Sequence, residues 1–238
     1  MINETFKRIL SSIIIIPIAL FFIIKGSAYF IFFLITFFLI SSYEWFKMTK
    51  KKIHLYTGVF ILSFSCYAAY LLRGTSEGEL VFFLFIILIC VASDVGGYIF
   101  GKLFKGPKLS KISPNKTYSG MIWSYFFSII CAYLYLNEYT GEIGTGLNWV
   151  FFDSDLNSDL VLLITAFSIS SVSQLGDLTV SYFKRLSKIK NTGKILPGHG
   201  GLLDRVDGII FVIPFAYLFL NFIKLWKKKL QYLAPLVQ

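Results

Sequence analysis

Hydrophobic residues in this chain come in long blocks separated by polar stretches, and that pattern predicts membrane-crossing helices before anything else is read. A bilayer's hydrocarbon is crossed by roughly 17–25 mainly apolar residues in helical form. On that measure spans are expected at Ile9–Ile24, Ala28–Phe46, Ile53–Leu72, Leu80–Phe100, Met121–Leu136, Leu160–Leu175 and Ile209–Trp226. Pro17 should bend the first of them. Lys7 and Arg8 ahead of an apolar block mimic a secretory leader, but no small-x-small cleavage site follows, so a retained helix is expected. The predicted fold class is all-α. It is a polytopic integral membrane protein of about seven transmembrane helices, rising to nine if some segments re-enter the bilayer.

The polar stretches carry the orientation. Lys47, Lys50, Lys51 and Lys52 follow the second span, and Lys102, Lys105, Lys108, Lys111 and Lys116 follow the fourth. Lys184, Arg185, Lys188, Lys190 and Lys194 follow the sixth. The opposite loops hold Arg73, Glu77, Glu79, Glu138, Glu142, Asp153, Asp155 and Asp159. Lysine and arginine concentrate in cytoplasmic loops, so these three basic loops are expected inside. Lys227, Lys228 and Lys229 do not fit seven crossings: either the crossings are even in number or the tail departs from the rule.

Composition agrees with the pattern. The chain is 56% hydrophobic, where a soluble domain has about 45–50%, and its mean hydropathy is +0.70. The formal net charge of +10 then reads as lysines flanking spans against anionic headgroups, and no nucleic-acid partner is expected. Cys66, Cys90 and Cys131 lie far apart inside apolar runs and form no metal or disulfide spacing. Residues 1–78 are read as N-terminal spans, and residues 79–238 as a catalytic membrane region in one continuous membrane domain.

The chemistry-bearing residues sit beside the basic loops. Asp94, Asp177, Asp204 and Asp207 lie in or next to spans, where an ionised carboxylate is costly unless paired, coordinated or wetted. Asp204 and Asp207 are three apart, so a helix would place them on one face. Two such carboxylates repel unless a cation separates them, and Asp177 could complete an oxygen-rich site of the kind that suits Mg²⁺. Gly198, Gly200 and Gly201 in the stretch KILPGHGGLLDRVDG could turn backbone N–H groups toward an anion, or could form a plain tight turn. A helix starting near Leu202 would add donors. His199 could contact phosphate, move a proton, or simply be hydrogen-bonded in the loop. In KLSKISPNKTYSG, the lysines Lys108 and Lys116 alternate with Ser113 and Thr117, a mixture suited to phosphate oxygens and also to a solvated basic loop. Arg205 would clamp a phosphate or neutralise its flanking acids. No phosphate-binding GxxxxGK[ST] loop, GxSxG elbow or paired-cysteine motif is present.

At these residues the sequence resembles the phosphatidate cytidylyltransferase (CDP-diacylglycerol synthase) family. The resemblance rests on SYFKRLSKIKNTGKILPGHGGLLDRVD, Ser181 to Asp207, on the upstream SQLGDL, and on SDVGGYIFGKLF with KLSKISPNKTYSG in the same order. It departs from the family pattern at Asn191, where an aspartate is usual, and at Lys102, Ser119, Val180 and Gly208. The resemblance implies that CTP and phosphatidate react to give CDP-diacylglycerol and pyrophosphate, in a homodimer whose active site faces the cytoplasm at a bacterial inner membrane. It implies Mg²⁺, with a second cation left open, held by Asp177, Asp204 and Asp207. Lys184, Arg205 and His199 join those acids as catalytic groups. Asp94, Lys108, Ser113, Lys116, Thr117, Arg185, Gly198, Gly200 and Gly201 would bind substrate. A CTP-dependent polyprenol kinase and a membrane transporter are the competing readings, the latter because intramembrane acids also mark ion pathways.

Overall fold

A computed structural model describes residues 4–49, 52–110, 113, 116–139, 158–193, 195 and 200–233. Among them the chain forms eight helices: α1 (Glu4–Lys25), α2 (Ser27–Met48), α3 (Lys52–Arg73), α4 (Glu77–Phe104), α5 (Tyr118–Tyr139), α6 (Ser158–Leu186), α7 (Leu203–Val206) and α8 (Ile209–Leu233). An isolated antiparallel bridge joins Lys108 and Thr117. Helices are what apolar blocks of this length must form, because each backbone donor then finds its acceptor within the same segment.

A helix stands at each of the seven predicted segments. Five are long and apolar enough to cross a membrane, namely Ser27–Met48, Ile53–Arg73, Glu77–Phe104, Tyr118–Asn137 and Leu160–Leu186. The apolar parts of α1 and α8, Ile13–Lys25 and Ile209–Ile223, are shorter. The largest boundary difference is in α6, which continues to Leu186 where hydropathy ends the span at Leu175. Past Leu175 the segment turns amphipathic: Val180 stays buried while Tyr182 and Leu186 are exposed. A helix leaving hydrocarbon keeps its hydrogen bonds but loses its apolar average, so hydropathy stops before the helix does. Asp177, Lys184 and Arg185 are therefore helical, and Lys184 and Arg185 do not belong to a loop.

The core lies around α4. Phe85, Ile86, Ile89 and Cys90 are sealed from solvent within one cluster that also takes Phe30, Ala68, Ala132, Ala166, Ile169 and Val212 from five other helices. A capping box starts α4, with Ser76 Oγ accepting from Glu79 N and the Glu79 carboxylate accepting from Ser76 N. The outside is as greasy as the inside: Phe32, Phe60, Phe126 and Leu134 are all more than half exposed. An apolar exterior of this kind is the surface a lipid-facing bundle presents. The three cysteines are free, Cys90 buried and Cys66 and Cys131 half-buried, as small core or lipid-facing residues should be.

The bundle has two chemically different ends. At one, the buried guanidinium of Arg73 donates to Ile23 O (2.9 Å), Ile24 O (2.9 Å) and Gly74 O (3.0 Å), so it satisfies carbonyls where α1 and α3 finish. The other end gathers the C-termini of α2, α4 and α6, the N-termini of α5 and α8, and α7. Contacts there include Trp45 Nε1 donating to His54 O at 2.9 Å and the Trp45 ring edge-on to Phe183 at 5.1 Å. The lysine-rich stretches after α2, α4 and α6 thus share one end of the molecule.

Arg73→Ala should leave those carbonyls without their donor, a loss of about 2–3 kcal/mol. The expected outcome is a melting temperature of the detergent-solubilised protein lower by roughly 5–10 °C. Chemistry at the opposite end should be unchanged at low temperature.

Candidate functional site

At the lysine-rich end, each buried acid sits on a separate element and is met by a different set of donors. Asp204 lies in α7, the four-residue turn that follows the glycine loop. Its Oδ1 accepts from Lys184 Nζ at 2.9 Å. Its Oδ2 accepts from Thr192 N at 2.9 Å and Gly201 N at 3.1 Å. Lys184, buried at the end of α6, also lies 3.9 Å from Asp207 Oδ2. Asp177, two turns earlier on α6, takes Lys116 Nζ at 2.8 Å on its Oδ2. Its Oδ1 is buried with no hydrogen-bond partner.

A close crossing brings Asp207 to Asp177. A Cβ on Gly176 would lie 3.0 Å from Asp207 O and 3.2 Å from Gly208 Cα, and one on Gly208 would lie 3.1 Å from Asp177 Oδ1. Glycine at both positions lets α6 and the start of α8 approach backbone to backbone. Burial pushes the Asp207 carboxyl well above the usual carboxylate range, and the neighbouring Asp177 charge pushes it further, while Lys184 draws it back. Two carboxyls in this relation share a proton or a cation.

Asp177, Asp204 and Lys116 open onto a cavity of about 450 Å³, within the size range of small-ligand sites, while Asp207 and Lys184 stand outside its lining. Asp94 of α4, Asp177 and Asp204 form its acidic wall, with Lys116, Ser113, Thr117 and exposed Arg205 beside them. Buried Ser93 and Ser124, with Gln174, make a polar floor. The floor is knitted across helices: Ser93 Oγ pairs with Ser170 Oγ at 2.8 Å, Ser124 Oγ donates to Ser93 O at 2.8 Å, and Gln174 Nε2 donates to Ser170 Oγ at 3.4 Å. Thr117 also accepts from Gly120 N at 3.1 Å and so caps α5, which sets the register of Lys116 just before it.

Several expected roles change in this geometry. Lys108 is exposed, bridged to Thr117, and does not line the cavity. Lys184 is committed to Asp204 and Asp207, so it balances acids and does not face a ligand. Arg185 is exposed on the last turn of α6 and donates to Ile189 O at 3.3 Å. The glycine loop was expected to offer N–H groups to an anion. Instead Gly201 N goes to Asp204, and Leu202 N and Leu203 N go to Glu44. Gly200 has a φ of 90°, a turn conformation that favours glycine. Gly198 and His199 lie outside the described residues. Among the described residues no three His, Cys, Asp or Glu side chains converge as a metal-holding group. The expected trio is not assembled in this geometry, because both Asp204 oxygens are already engaged by Lys184 and two backbone amides.

Sequence reasoning missed Glu44, Thr192 and the serine floor. Glu44 carried the same signal as Asp94, an acid inside an apolar run (SSYEWFKM), but its place beside a lysine cluster disguised it as a flank. Thr192 had no signal of its own. Asn191, the departure from the family's aspartate, packs beside Gly200, where a Cβ would meet it at 3.4 Å. A neutral amide there adds no further negative charge next to Asp204.

The fold and site together define an all-helical protein of the membrane class, with a charged cavity at one end of an apolar bundle. The chain belongs to the cytidylyltransferase family, whose profile matches residues 54–223. Among similar proteins, a phosphatidate cytidylyltransferase of Staphylococcus epidermidis is 38% identical over 182 residues, covering 74% of this chain and 64% of the relative. Those of Staphylococcus saprophyticus (36% over 182 residues) and Brucella suis (34% over 163 residues, 68% of this chain and 55% of the relative) are also similar. The chain spans less than two thirds of the length of these curated relatives.

A carboxyl whose folded pKa lies above its unfolded value binds its proton more tightly in the fold, so stability falls as pH rises from the unfolded pKa to the folded one. Asp207→Asn removes that penalty. In protein stripped of divalent cations with EDTA, the variant should melt higher than wild type, with a larger gap at pH 8 than at pH 5.

Proposed function

We propose that this chain transfers the cytidylyl group of CTP to phosphatidate, forming CDP-diacylglycerol and releasing pyrophosphate, at the cytoplasmic face of a bacterial inner membrane. Family membership supports the reaction class, and the relatives' name supplies the acceptor lipid. The observation that carries the site is the cavity where Lys116, Asp177, Asp204 and Arg205 meet at the lysine-rich end of an apolar bundle. CTP stays in water and phosphatidate stays in lipid, so their meeting place has to be such an end. On this reading α1 and α8 also cross the bilayer, giving seven spans, and the family's homodimer is the expected assembly.

The chemistry asks for positioning and charge control rather than a strong base. A phosphomonoester with a second pKa near 6 is already largely ionised at neutral pH. The obstacle is the approach of one anion to another. A hard divalent cation fits beside Asp177, whose buried Oδ1 has no donor and whose charge pushes against Asp207. Asp177 and Asp207 would hold Mg²⁺, and Asp204 would join by exchanging one of its present donors. Asp94, on the same wall, is where a second cation would be held. Bound there, Mg²⁺ supplies charge neutralisation to the phosphates.

The protein's own groups do the rest. Lys116 Nζ has three N–H donors and gives one to Asp177, so two remain for phosphate oxygens. Arg205 adds a planar guanidinium on the exposed side of the cavity. Ser113 and Thr117 present hydroxyls beside Lys116. Lys184 keeps Asp204 and Asp207 in place from beneath. Gly198 and His199 would shape the loop above.

Detergent-solubilised protein given CTP, phosphatidate and Mg²⁺ should release pyrophosphate. Asp177→Asn and Asp204→Asn should each slow release by about 100- to 1,000-fold, the range for losing one group that stabilises developing charge. With CTP labelled in both the cytidine and the γ-phosphate, the cytidine label should enter lipid. Entry of the γ-label instead would assign a lipid kinase and overturn the reading, and equal rates for Asp204→Asn would remove Asp204 from the site.

A further inference from the structure

We propose that Glu44 of α2 is a positioning residue for the reaction, holding the turn that carries Asp204; this deepens the reading of the cavity as the cytidylyl-transfer site and rests on it. Glu44 is 1% exposed. Its Oε1 accepts from Leu202 N at 2.9 Å, and its Oε2 accepts from Leu203 N at 3.0 Å and from Thr192 Oγ1 at 3.1 Å. Asp204 takes the complementary set, Thr192 N and Gly201 N. Two carboxylates therefore divide one short segment between them. Thr192 gives its hydroxyl to Glu44 and its amide to Asp204, and three consecutive amides from Gly201 to Leu203 are shared in the same way.

The backbone is shaped to allow this. A Cβ on Gly193 would lie 2.7 Å from Glu44 Oε1, and one on Gly201 would lie 2.6 Å from Glu44 Oε2. Those two glycines let the chain close around the carboxylate from both sides. The partners are distant in sequence, Thr192 standing 148 positions from Glu44, so the contact is a tertiary constraint rather than a local cap. Trp45 continues it: its indole binds His54 O, and its ring packs on Phe183, the neighbour of Lys184. Glu44 thus ties α2 to the Asp204 side of the Lys184–Asp204 pair, and Trp45 ties α2 to the Lys184 side. Glu44 does not line the cavity, so its effect on substrates passes through Asp204. It also lies ahead of residues 54–223, the part that matches the family.

Glutamine at 44 keeps the size but offers one oxygen and an NH₂ group, so the Leu202 or Leu203 amide loses its acceptor and meets a donor. In the full chain, Glu44→Gln should lower kcat for pyrophosphate release by about 10- to 100-fold, as loss of a supporting contact does. KM for CTP and phosphatidate should stay within about threefold, because the contacts to substrate remain. Glu44→Asp, which keeps two acceptor oxygens, should be more active than Glu44→Gln. Hydrogen exchange at the Leu202 and Leu203 amides should accelerate in Glu44→Gln.

A folded Glu44→Gln with wild-type kcat, or with unchanged exchange at those amides, overturns the proposal. A uniform loss that tracks the folded fraction, with Glu44→Asp no better than Glu44→Gln, also overturns it by assigning a purely structural role. If Glu44→Gln does not fold, Thr192→Val removes only the hydroxyl donor, and an unchanged kcat in that variant has the same force. A wild-type chain that releases no pyrophosphate from CTP and phosphatidate overturns the proposed reaction instead, and amide exchange then decides whether Glu44 holds the turn.

Discussion

A carboxylate at the end of an apolar helix bundle is stable only where donors are brought to it, and this requirement shapes the polar end of the molecule. Glu44, Asp177, Asp204 and Asp207 all lie where water is scarce. Lys116 and Lys184 answer three of them, Asp177, Asp204 and Asp207, and backbone amides of residues 192 and 201–203 answer most of what remains. The amides of Thr192 and of Gly201 to Leu203 turn inward to two buried acids, because an unpaired buried carboxylate would cost more than ordering those residues.

The compensation is incomplete at one point, and chemistry is best served there. Asp177 keeps an oxygen without a donor and faces Asp207, which is crowded by the same charge. Structural acids are normally satisfied on every oxygen. On the proposed reading, that unsatisfied oxygen beside the cavity is where a cation arriving with the substrate would be held. The serine floor beneath it keeps three long helices in register through side-chain bonds that hydrocarbon cannot disrupt.

Expected boundaries within the chain soften in the same light. Residues 1–78 were read as N-terminal spans continuous with the catalytic region, and the contacts run that way: α2 supplies the carboxylate that holds the Asp204 turn, and α3 packs along α8. The α2 helix thus braces the cavity's Asp204 turn from outside its lining. Lysines likewise serve twice: the described ones around the C-terminal ends of α2, α4 and α6 share one end of the bundle, and Lys116 and Lys184 are drawn inward to balance acids.

Much of this was legible in the residues alone. Apolar blocks of fixed length gave helices in all seven expected places, because in hydrocarbon the backbone has no alternative to bonding within its own segment. Asp94, Asp177, Asp204 and Asp207 were marked as a group by their cost near lipid; the first three share one cavity, and Asp207 stands beside Asp177 outside its lining. What the sequence could not decide was which donor meets which acceptor. Hydropathy carries no information on the partner of a buried lysine, so Lys184 was expected among the catalytic groups with no partner named, and the packed structure sets it against two acids. Nor could it show that the Leu202 and Leu203 amides serve Glu44, since that pairing joins positions more than a hundred residues apart. Composition and length are properties of segments, and they determined the helices; hydrogen-bond partnership depends on where helices cross, and only the packed structure decided it.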